Sequence, residues 1–263
     1  LPNRMHACET MGAVNVICTD KTGTLTQNQM TVASALFPEN LKADKFVAES
    51  LSLNSSAYLD CFDDGKIKVI GNPTEGALLL WLKDEGYDYI KYRNETEVLE
   101  KLPFTTENKY MATVIFSNVF KKKILLVKGA PEIVLQMCTS FEQGFDINGV
   151  RANLSDFQNK AMRTLVFAYK ELDNHKSVID DGKLAVQDLC FMGMVGITDP
   201  VRAGVADAVK ECLNAGIDIK VVTGDTSVTA KAIAEQIESV SGFLCPITNI
   251  LSGFFIHIHP FSS

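Results

Sequence analysis

The chain lacks an apolar run long enough to cross a membrane as a helix, which takes about 20 residues. Its nearest stretch, 243–258, is interrupted by Pro246, Asn249 and Gly253. The N-terminus also lacks the basic segment followed by an apolar one that marks a secretory signal. These two absences lead us to expect that the chain as written is soluble.

An excess of basic charge is also lacking. The 25 lysines and arginines stand against 32 acidic residues, giving a net charge of −7, which disfavours nucleic acid and anionic membranes as partners.

The seven cysteines form no C-x-x-C pair, and several lie in apolar runs, as in proteins of a reducing compartment. No P-loop or G-x-G-x-x-G motif occurs. His257 and His259 have a spacing compatible with a metal, but without a third ligand we favour chance.

What is present indicates a globular protein with two kinds of sheet. At 263 residues, with 46% hydrophobic and 22% charged residues, the chain is long enough for one large or two ordinary domains. Strand and helix patterns alternate near both ends, which predicts a parallel α/β sheet. These segments are strands 14–18, 189–197 and 217–222, and helices 203–215 and 226–237.

The middle of the chain shows strands joined by turns, which predicts an antiparallel α+β domain inserted into the α/β one. Its strand candidates are 65–70, 98–104, 110–117, 123–128 and 164–172, and its helix candidates are 75–85, 131–138 and 154–162. We therefore predict an α/β domain made of 1–35 and 189–237, an inserted domain over 36–188, and an atypical tail, 238–263.

Two predicted strands of the α/β part end in polar loops, Asp20–Thr24 and Thr223–Asp225. In an open α/β sheet, ligands gather beyond the carboxyl ends of the strands. A carboxylate there, such as Asp20, can attack phosphorus and become an aspartyl phosphate. Gly23 lets the backbone approach closely, and Lys21 offsets charge. The alternative is that Asp20 only caps a turn.

Further motifs favour the first interpretation. The segment Asp20–Thr26, Asp-Lys-Thr-Gly-Thr-Leu-Thr, resembles the phosphorylation motif of the P-type ATPases, pumps that form an aspartyl phosphate. Lys128–Glu132, Thr198–Arg202 and Thr223–Asp225 resemble the K-G-A-P-E, D-P-x-R and T-G-D motifs, in the family's order. The resemblance covers about residues 1–237. It implies an incomplete haloacid-dehalogenase-like phosphorylation domain with an inserted nucleotide-binding domain.

The resemblance also implies roles for single residues, with ATP and Mg²⁺ as the ligands. Asp20 is the implied nucleophile, and Asp20 and Thr22 are the implied metal ligands. The implied catalytic residues are Asp20, Lys21, Thr22, Thr223, Gly224 and Asp225. The implied nucleotide-binding residues are Glu75, Phe104, Lys109, Lys128, Gly129, Arg163, Asp199 and Arg202. Taken singly, Phe104 would more often be core, and Lys109 and Arg163 would be surface charges.

The resemblance implies that the parent protein is an ATP-driven cation pump, with this chain on the cytoplasmic side of its membrane and with transmembrane and actuator regions as partners. Cys8–Gly12 and Gln27–Val32 look most like the calcium-pump branch. Two alternatives remain. A soluble phosphohydrolase of the haloacid-dehalogenase type would need an acid/base residue where Thr22 stands. A nucleotide-binding module without turnover is favoured by the lack of the family's G-D-G-x-N-D motif.

The tail departs from the family from about residue 238 and is nearly uncharged. If strand 14–18 has a free edge, the apolar stretch 243–258 fills that edge or pairs between molecules. We therefore expect the full chain to self-associate or to be marginally stable.

Overall fold

The computed structural model describes residues 14–39, 41–62, 67–172, 178–222, 234, 237 and 255–258. The strands are β1 (Val16–Asp20), β2 (Thr31–Leu36), β3 (Tyr58–Cys61), β4 (Ile67–Ile70), β5 (Val98–Leu102), β6 (Tyr110–Ser117), β7 (Lys122–Gly129), β8 (Cys138–Phe141), β9 (Arg163–Glu171), β10 (Ile179–Asp180), β11 (Lys183–Leu184), β12 (Leu189–Thr198), β13 (Asp218–Val222) and β14 (Phe255–Ile258). The helices are α1 (Leu41–Leu53), α2 (Pro73–Asp84), α3 (Tyr89–Glu95), α4 (Pro131–Met137), α5 (Ile147–Asn159) and α6 (Val205–Asn214).

The chain divides into two compact units. The larger comprises Met30–Gln158 and Met162–Thr198, and the smaller comprises the remaining segments. The predicted α/β class with an antiparallel sheet is confirmed: the larger unit contains a seven-stranded sheet in the order β2-β12-β9-β7-β6-β5, with β8 beside β12. All its pairs are antiparallel except the short β8–β12 pair.

Helices cover both faces of this sheet. One core cluster contains residues of α1 and α2, such as Leu51 and Leu78, and the other contains Val134 of α4 and Phe157 of α5. The central strands β6 and β7 are buried along most of their length, which explains their nearly continuous apolar sequence. The lysine run 121–123 lies at the hairpin between them, with Lys121 at a positive φ of 56°.

The smaller unit contains the first strand and the last described ones. β1 pairs in parallel with β13, so that Asp20 lies opposite Val222, as expected for neighbouring strands of a parallel α/β sheet. Helix α6 buries Val209 and Leu213 with Ile219 of β13 in a separate core cluster. The predicted helix 203–215 is thus confirmed. The predicted helix 226–237 lies outside the described residues except at positions 234 and 237.

Several expectations need correction. Strand 189–197 was expected in the parallel sheet, but as β12 it pairs antiparallel with β2 and β9. For this reason the larger unit runs from 30 to 198 (apart from 159–161) rather than over 36–188. Helix α5 begins at Ile147, seven residues before the predicted start. Within the tail, β14 pairs with β13 and not with the edge of β1.

No helix among the described residues combines the length and the hydropathy of a membrane span.

Candidate functional site

The larger unit carries a cavity of about 530 Å³ near the ends of β6, β7 and β9 and the first turn of α2. This volume is within the range of small-molecule sites. Its lining residues are Asn72, Thr74, Glu75, Phe104, Thr106, Lys109, Met111, Lys128, Gly129, Ala130, Arg163, Thr164 and Leu165. Six of the eight residues predicted to bind nucleotide, Glu75, Phe104, Lys109, Lys128, Gly129 and Arg163, are among them.

A buried ion pair lies in the cavity wall. Lys128, on β7, donates to Oε1 of Glu75 over 2.7 Å, and the two residues are 4% and 7% exposed. The other carboxylate oxygen, Oε2, accepts from the backbone N–H of Ser56 at 2.7 Å and of Ala57 at 3.2 Å. It also accepts from the hydroxyls of Ser55 and Ser56. The carboxylate therefore joins α2 to β7 and to the loop before β3.

The electrostatics of this pair favour the charged carboxylate. Burial alone would raise the pKa of Glu75, but the Lys128 ammonium and the hydrogen bonds from Lys128 and Ser56 lower it to about 2. Burial lowers the pKa of Lys128, and the neighbouring Glu75 carboxylate partly offsets that effect. The cavity wall thus contains the Lys128 ammonium paired with the Glu75 carboxylate.

A turn between β5 and β6 carries two more of the predicted residues. Phe104 leaves 57% of its surface exposed, which is unusual for a phenylalanine and leaves a ring face available for stacking. The turn is closed by Thr105, whose carbonyl accepts from the N–H of Lys109 and whose hydroxyl accepts from that of Asn108. Lys109 adopts a positive φ of 57° and pairs with Glu132 at 3.3 Å, both side chains being more than half exposed.

Gly129 has a packing reason for being glycine. A Cβ atom there would lie 2.6 Å from the carbonyl oxygen of Lys109 and 2.6 Å from the Cβ of Tyr110. The same carbonyl accepts from the N–H of Ala130. Gly129 therefore allows the start of α4 to lie directly against the turn that carries Phe104 and Lys109.

Arg163, at the start of β9, contributes a second cation to the cavity. Its Nη1 donates to the hydroxyl of Thr74 over 2.8 Å. Thr74 is itself placed by the start of α2, where Asn72 caps the helix by accepting from the N–H of Thr74. Pro73 occupies the first helical position, as is common.

In the smaller unit, Asp20 ends β1 with an exposed side chain and is followed by an irregular turn, Lys21–Leu25. Gly23 takes a positive φ of 77° there, which glycine adopts without strain. Lys21 is buried, whereas Thr22 is exposed. Asp20 and Val222 are register partners, so β1 and β13 end side by side. The predicted residues Thr223, Gly224 and Asp225 themselves lie outside the described residues.

Asp199 and Arg202 lie beyond this turn in the sequence and form hydrogen bonds with it and with the residues that follow it. Thr26 donates its hydroxyl to the carboxylate of Asp199 at 2.6 Å, and the N–H of Gln29 donates to the other oxygen. Arg202 donates to the carbonyls of Thr26 and Gly23. Both residues were predicted among the nucleotide-binding ones, but neither lines the cavity of the larger unit. Their contacts are those of positioning residues for the Asp20 turn.

Sequence reasoning missed the residues that support the predicted ones. Thr26 ends the Asp20–Thr26 motif without a predicted role of its own, yet its hydroxyl connects the turn to Asp199. Ser55 and Ser56, which bind the Glu75 carboxylate, gave no signal, because short serine-containing loops are common and carry no spacing of their own.

The chain matches a family model and several curated proteins. Residues 42–204 match the family model described as "P-type ATPase, cytoplasmic domain N". The chain is 36% identical over 90% of its length to calcium-transporting ATPase 10, plasma membrane-type, of Oryza sativa subsp. japonica. It is 40% identical over 90% of its length to the probable calcium-transporting ATPase 9, plasma membrane-type, of the same organism. It is 36% identical over 90% of its length to the calcium-transporting ATPase PAT1 of Dictyostelium discoideum.

The chain spans 23–26% of the length of these relatives. The family model, by contrast, matches more than half of the chain and includes the strands and helices that form the cavity. The chain therefore belongs to the P-type ATPase family.

Proposed function

We propose that the larger unit binds ATP in its 530 Å³ cavity, with the base inside and the phosphates toward the rim. The observation that carries this proposal is the combination of a buried Lys128–Glu75 pair with an exposed aromatic, Phe104, in one cavity wall. Base–aromatic stacking is a common way to hold a nucleobase. Lys109 and Arg163 supply cations for the phosphates.

The second part of the proposal concerns Asp20, in a phosphorylation domain of the haloacid-dehalogenase type. A carboxylate oxygen of Asp20 attacks the γ-phosphorus of ATP, the bond from that phosphorus to the β–γ bridging oxygen breaks, and ADP leaves with the electron pair. The exposure of Asp20 and the bracing of its turn by Asp199 and Arg202 support this role. Thr22 stands where a phosphatase of this type has an acid/base residue. We therefore expect the phosphoenzyme to persist rather than to be hydrolysed rapidly.

Mg²⁺ fits the donor set at this turn. Asp20 offers a carboxylate and Thr22 an exposed hydroxyl, and Mg²⁺ is usually bound through one or two carboxylates together with waters and substrate phosphates. No group of three or more metal-binding side chains occurs within the described part of the chain. When bound, Mg²⁺ neutralises charge on the transferring phosphoryl group.

For the parent protein we propose an ATP-driven cation pump, with calcium as the transported ion and transmembrane and actuator regions as partners of this chain. The names of the relatives as calcium-transporting ATPases support calcium. We further propose that this chain lies on the cytoplasmic side of the membrane, in keeping with the description of the matching family model.

ATP titration of the full chain tests the nucleotide site. We expect a dissociation constant on the order of 0.1–1 mM, because stacking and one buried lysine give only a few kcal/mol against the cost of association. Phe104→Ala is expected to weaken binding about tenfold or more, since stacking contributes ~1–3 kcal/mol per base. The control is Phe116→Ala, which removes a similarly exposed ring from β6 outside the cavity. An equal loss in both variants would contradict the assignment of Phe104.

Acid-stable labelling with γ-labelled ATP tests the role of Asp20. Any hydroxylamine-sensitive label is expected to disappear in Asp20→Asn and to persist in Asp207→Asn, an exposed aspartate of α6. We expect the rate in this chain to be very low, because the family's G-D-G-x-N-D motif is not in its sequence. Label that survives Asp20→Asn, or labelling as fast as in a complete pump, would contradict this account.

A further inference from the structure

Arg93, on α3, does not line the proposed ATP cavity, and its guanidinium lies over two tyrosine rings. The guanidinium carbon is 4.7 Å from the ring centre of Tyr58 and 4.9 Å from that of Tyr89. Tyr58 leaves 59% of its surface exposed, whereas Tyr89 belongs to the core and accepts the N–H of Leu59 with its hydroxyl. Cation–π contacts with the two rings therefore hold the guanidinium in one place.

The guanidinium fixes the segment that follows α1. Its Nε donates to the carbonyl of Ser52 over 2.8 Å, and its Nη2 donates to the carbonyl of Ser55 over 3.2 Å. Ser52 is in the last turn of α1, where carbonyls have no partner within the helix. Ser55 is in the loop of residues 54–57, which leads to β3. Because the guanidinium is a rigid planar fork, these two bonds set the position of loop 54–57 relative to the helix.

Loop 54–57 in turn holds a carboxylate of the cavity wall. Oxygen Oε2 of Glu75 accepts hydrogen bonds from three residues of this loop. The donors are the hydroxyl of Ser55 at 3.3 Å, the N–H of Ser56 at 2.7 Å and the N–H of Ala57 at 3.2 Å. The other oxygen of Glu75 accepts from Lys128, and both of these residues line the cavity. A series of contacts therefore runs from α3 through loop 54–57 to the cavity wall.

Packing alone does not account for an arginine at position 93. Its third nitrogen, Nη1, is buried and finds no hydrogen-bond partner among the described residues, and an unpaired buried donor is costly. An apolar side chain of similar volume would pack against the same tyrosines without that cost. What the arginine adds is the pair of bonds to Ser52 and Ser55, which no apolar residue can form.

We propose that Arg93 is a positioning residue of the ATP site: it places loop 54–57 so that the donors of the loop bind Glu75, and it affects ATP affinity through that carboxylate. This inference rests on the proposed ATP site and adds to it a residue that does not touch the ligand. Misplacing the loop weakens the contacts to Oε2 and releases Glu75 from its position against Lys128, the buried cation of the cavity wall.

The variant that tests this role is Arg93→Lys, studied in the full chain beside Arg151→Lys, the same change at an exposed position of α5. Lysine keeps the positive charge and most of the stem but lacks the fork that reaches two carbonyls. We expect Arg93→Lys to raise the dissociation constant of ATP about fivefold, because bonds of one network are energetically coupled. Arg151→Lys is expected to leave it unchanged. The measurement is displacement of a fluorescent trinitrophenyl analogue of ATP.

A second readout distinguishes the positioning of Glu75 from a general loss of stability. Although burial raises the pKa of Glu75, Lys128 and Ser56 lower it to about 2, against 4.5 for the free side chain. If Arg93→Lys misplaces the loop, this folded-state pKa rises. The free energy of unfolding then falls less steeply between pH 4.5 and 2 than in the unchanged chain. A merely structural loss lowers the free energy of unfolding by a similar amount across that range.

Two results would overturn the inference and leave the ATP site standing. One is an ATP dissociation constant in Arg93→Lys within about twofold of the unchanged chain, and the other is weaker binding with an unchanged acid slope. If circular dichroism shows that Arg93→Lys does not fold, Tyr58→Leu decides, since it removes an exposed ring from the guanidinium. Unchanged ATP affinity in Tyr58→Leu would then contradict the role of Arg93. If ATP fails to displace the probe from the unchanged chain, the proposed site and this inference fall together.

Discussion

Replacing Lys128 with alanine is expected to lower the free energy of unfolding of the larger unit by about 3–5 kcal/mol. The substitution leaves the Glu75 carboxylate buried without its ammonium partner, which is the costly way to break an ion pair. The measurement is urea unfolding followed by the fluorescence of Trp81. This residue is the single tryptophan of the chain and packs against the core of the larger unit.

Two controls distinguish the effect of breaking the ion pair from the effect of removing a lysine side chain. Lys122→Ala removes a lysine paired with Glu171 at the surface, where such a pair contributes at most about 1 kcal/mol. The double variant Glu75→Gln with Lys128→Met removes both charges, and it is expected to be more stable than Lys128→Ala. A loss below about 1 kcal/mol in Lys128→Ala would show that the pair is not formed in solution.

The sheet of the larger unit could be predicted in good part from its sequence, because its central strands are marked by composition. Strands β6 and β7 are runs of apolar and β-branched residues, and the lysines 121–123 stand where the two strands are joined. This pattern is typical of a buried hairpin. Helix α2 carries a cap and a proline at its start, and these signals are local.

Helix α1 was not predicted, because several of its buried positions are polar. Glu49, Ser50 and Ser52 are at most 2% exposed, so the apolar period that marks a helix face is broken. Glu49 is accommodated by hydrogen bonds from Ser117 and Asn118, residues 68 and 69 positions away. Only the tertiary structure provides those partners.

The direction of β12 is a similar case. A strand buried on both faces is apolar throughout whether its neighbours are parallel or antiparallel, so the run 189–197 did not reveal its pairing. The start of α5 was missed because its first two turns are largely exposed and polar. Its beginning is marked by Asp146, which accepts from the N–H of Gly149.

For the cavity, the motifs predicted several of the residues that line it. The residues that hold these side chains in place could be identified only from the fold. Lys128 directly follows the apolar run 124–127 within β7, a pattern that is unusual for a surface lysine. The contact of Asp199 with Thr26 spans 173 positions. No local pattern encodes this contact, and the nucleotide-binding role of Asp199 is implied by the resemblance alone.

Acid is expected to destabilise the larger unit through Glu75 below about pH 4.5. The pKa of Glu75 is about 2 in the folded chain against 4.5 for the free side chain. The unfolded state therefore binds the proton first, and the stability that the charged group contributes is complete above 4.5 and is lost as the pH falls toward 2. A shift of this size corresponds to roughly 3 kcal/mol. Urea unfolding across this pH range should therefore show a shallower decline in Glu75→Gln than in the unchanged chain.

Glu49, on α1, provides a control of opposite sign in the same unit. Burial raises its pKa above 4.5, and hydrogen bonds from Ser117 and Asn118 offset only part of that effect. The folded state therefore holds the proton more tightly, and this contribution is lost as the pH rises above 4.5 through the folded pKa. Glu49→Gln should change the slope of stability above pH 4.5, and Glu75→Gln the slope below it. If both variants altered the same pH range, the burial and pairing described for the two carboxylates would be incorrect.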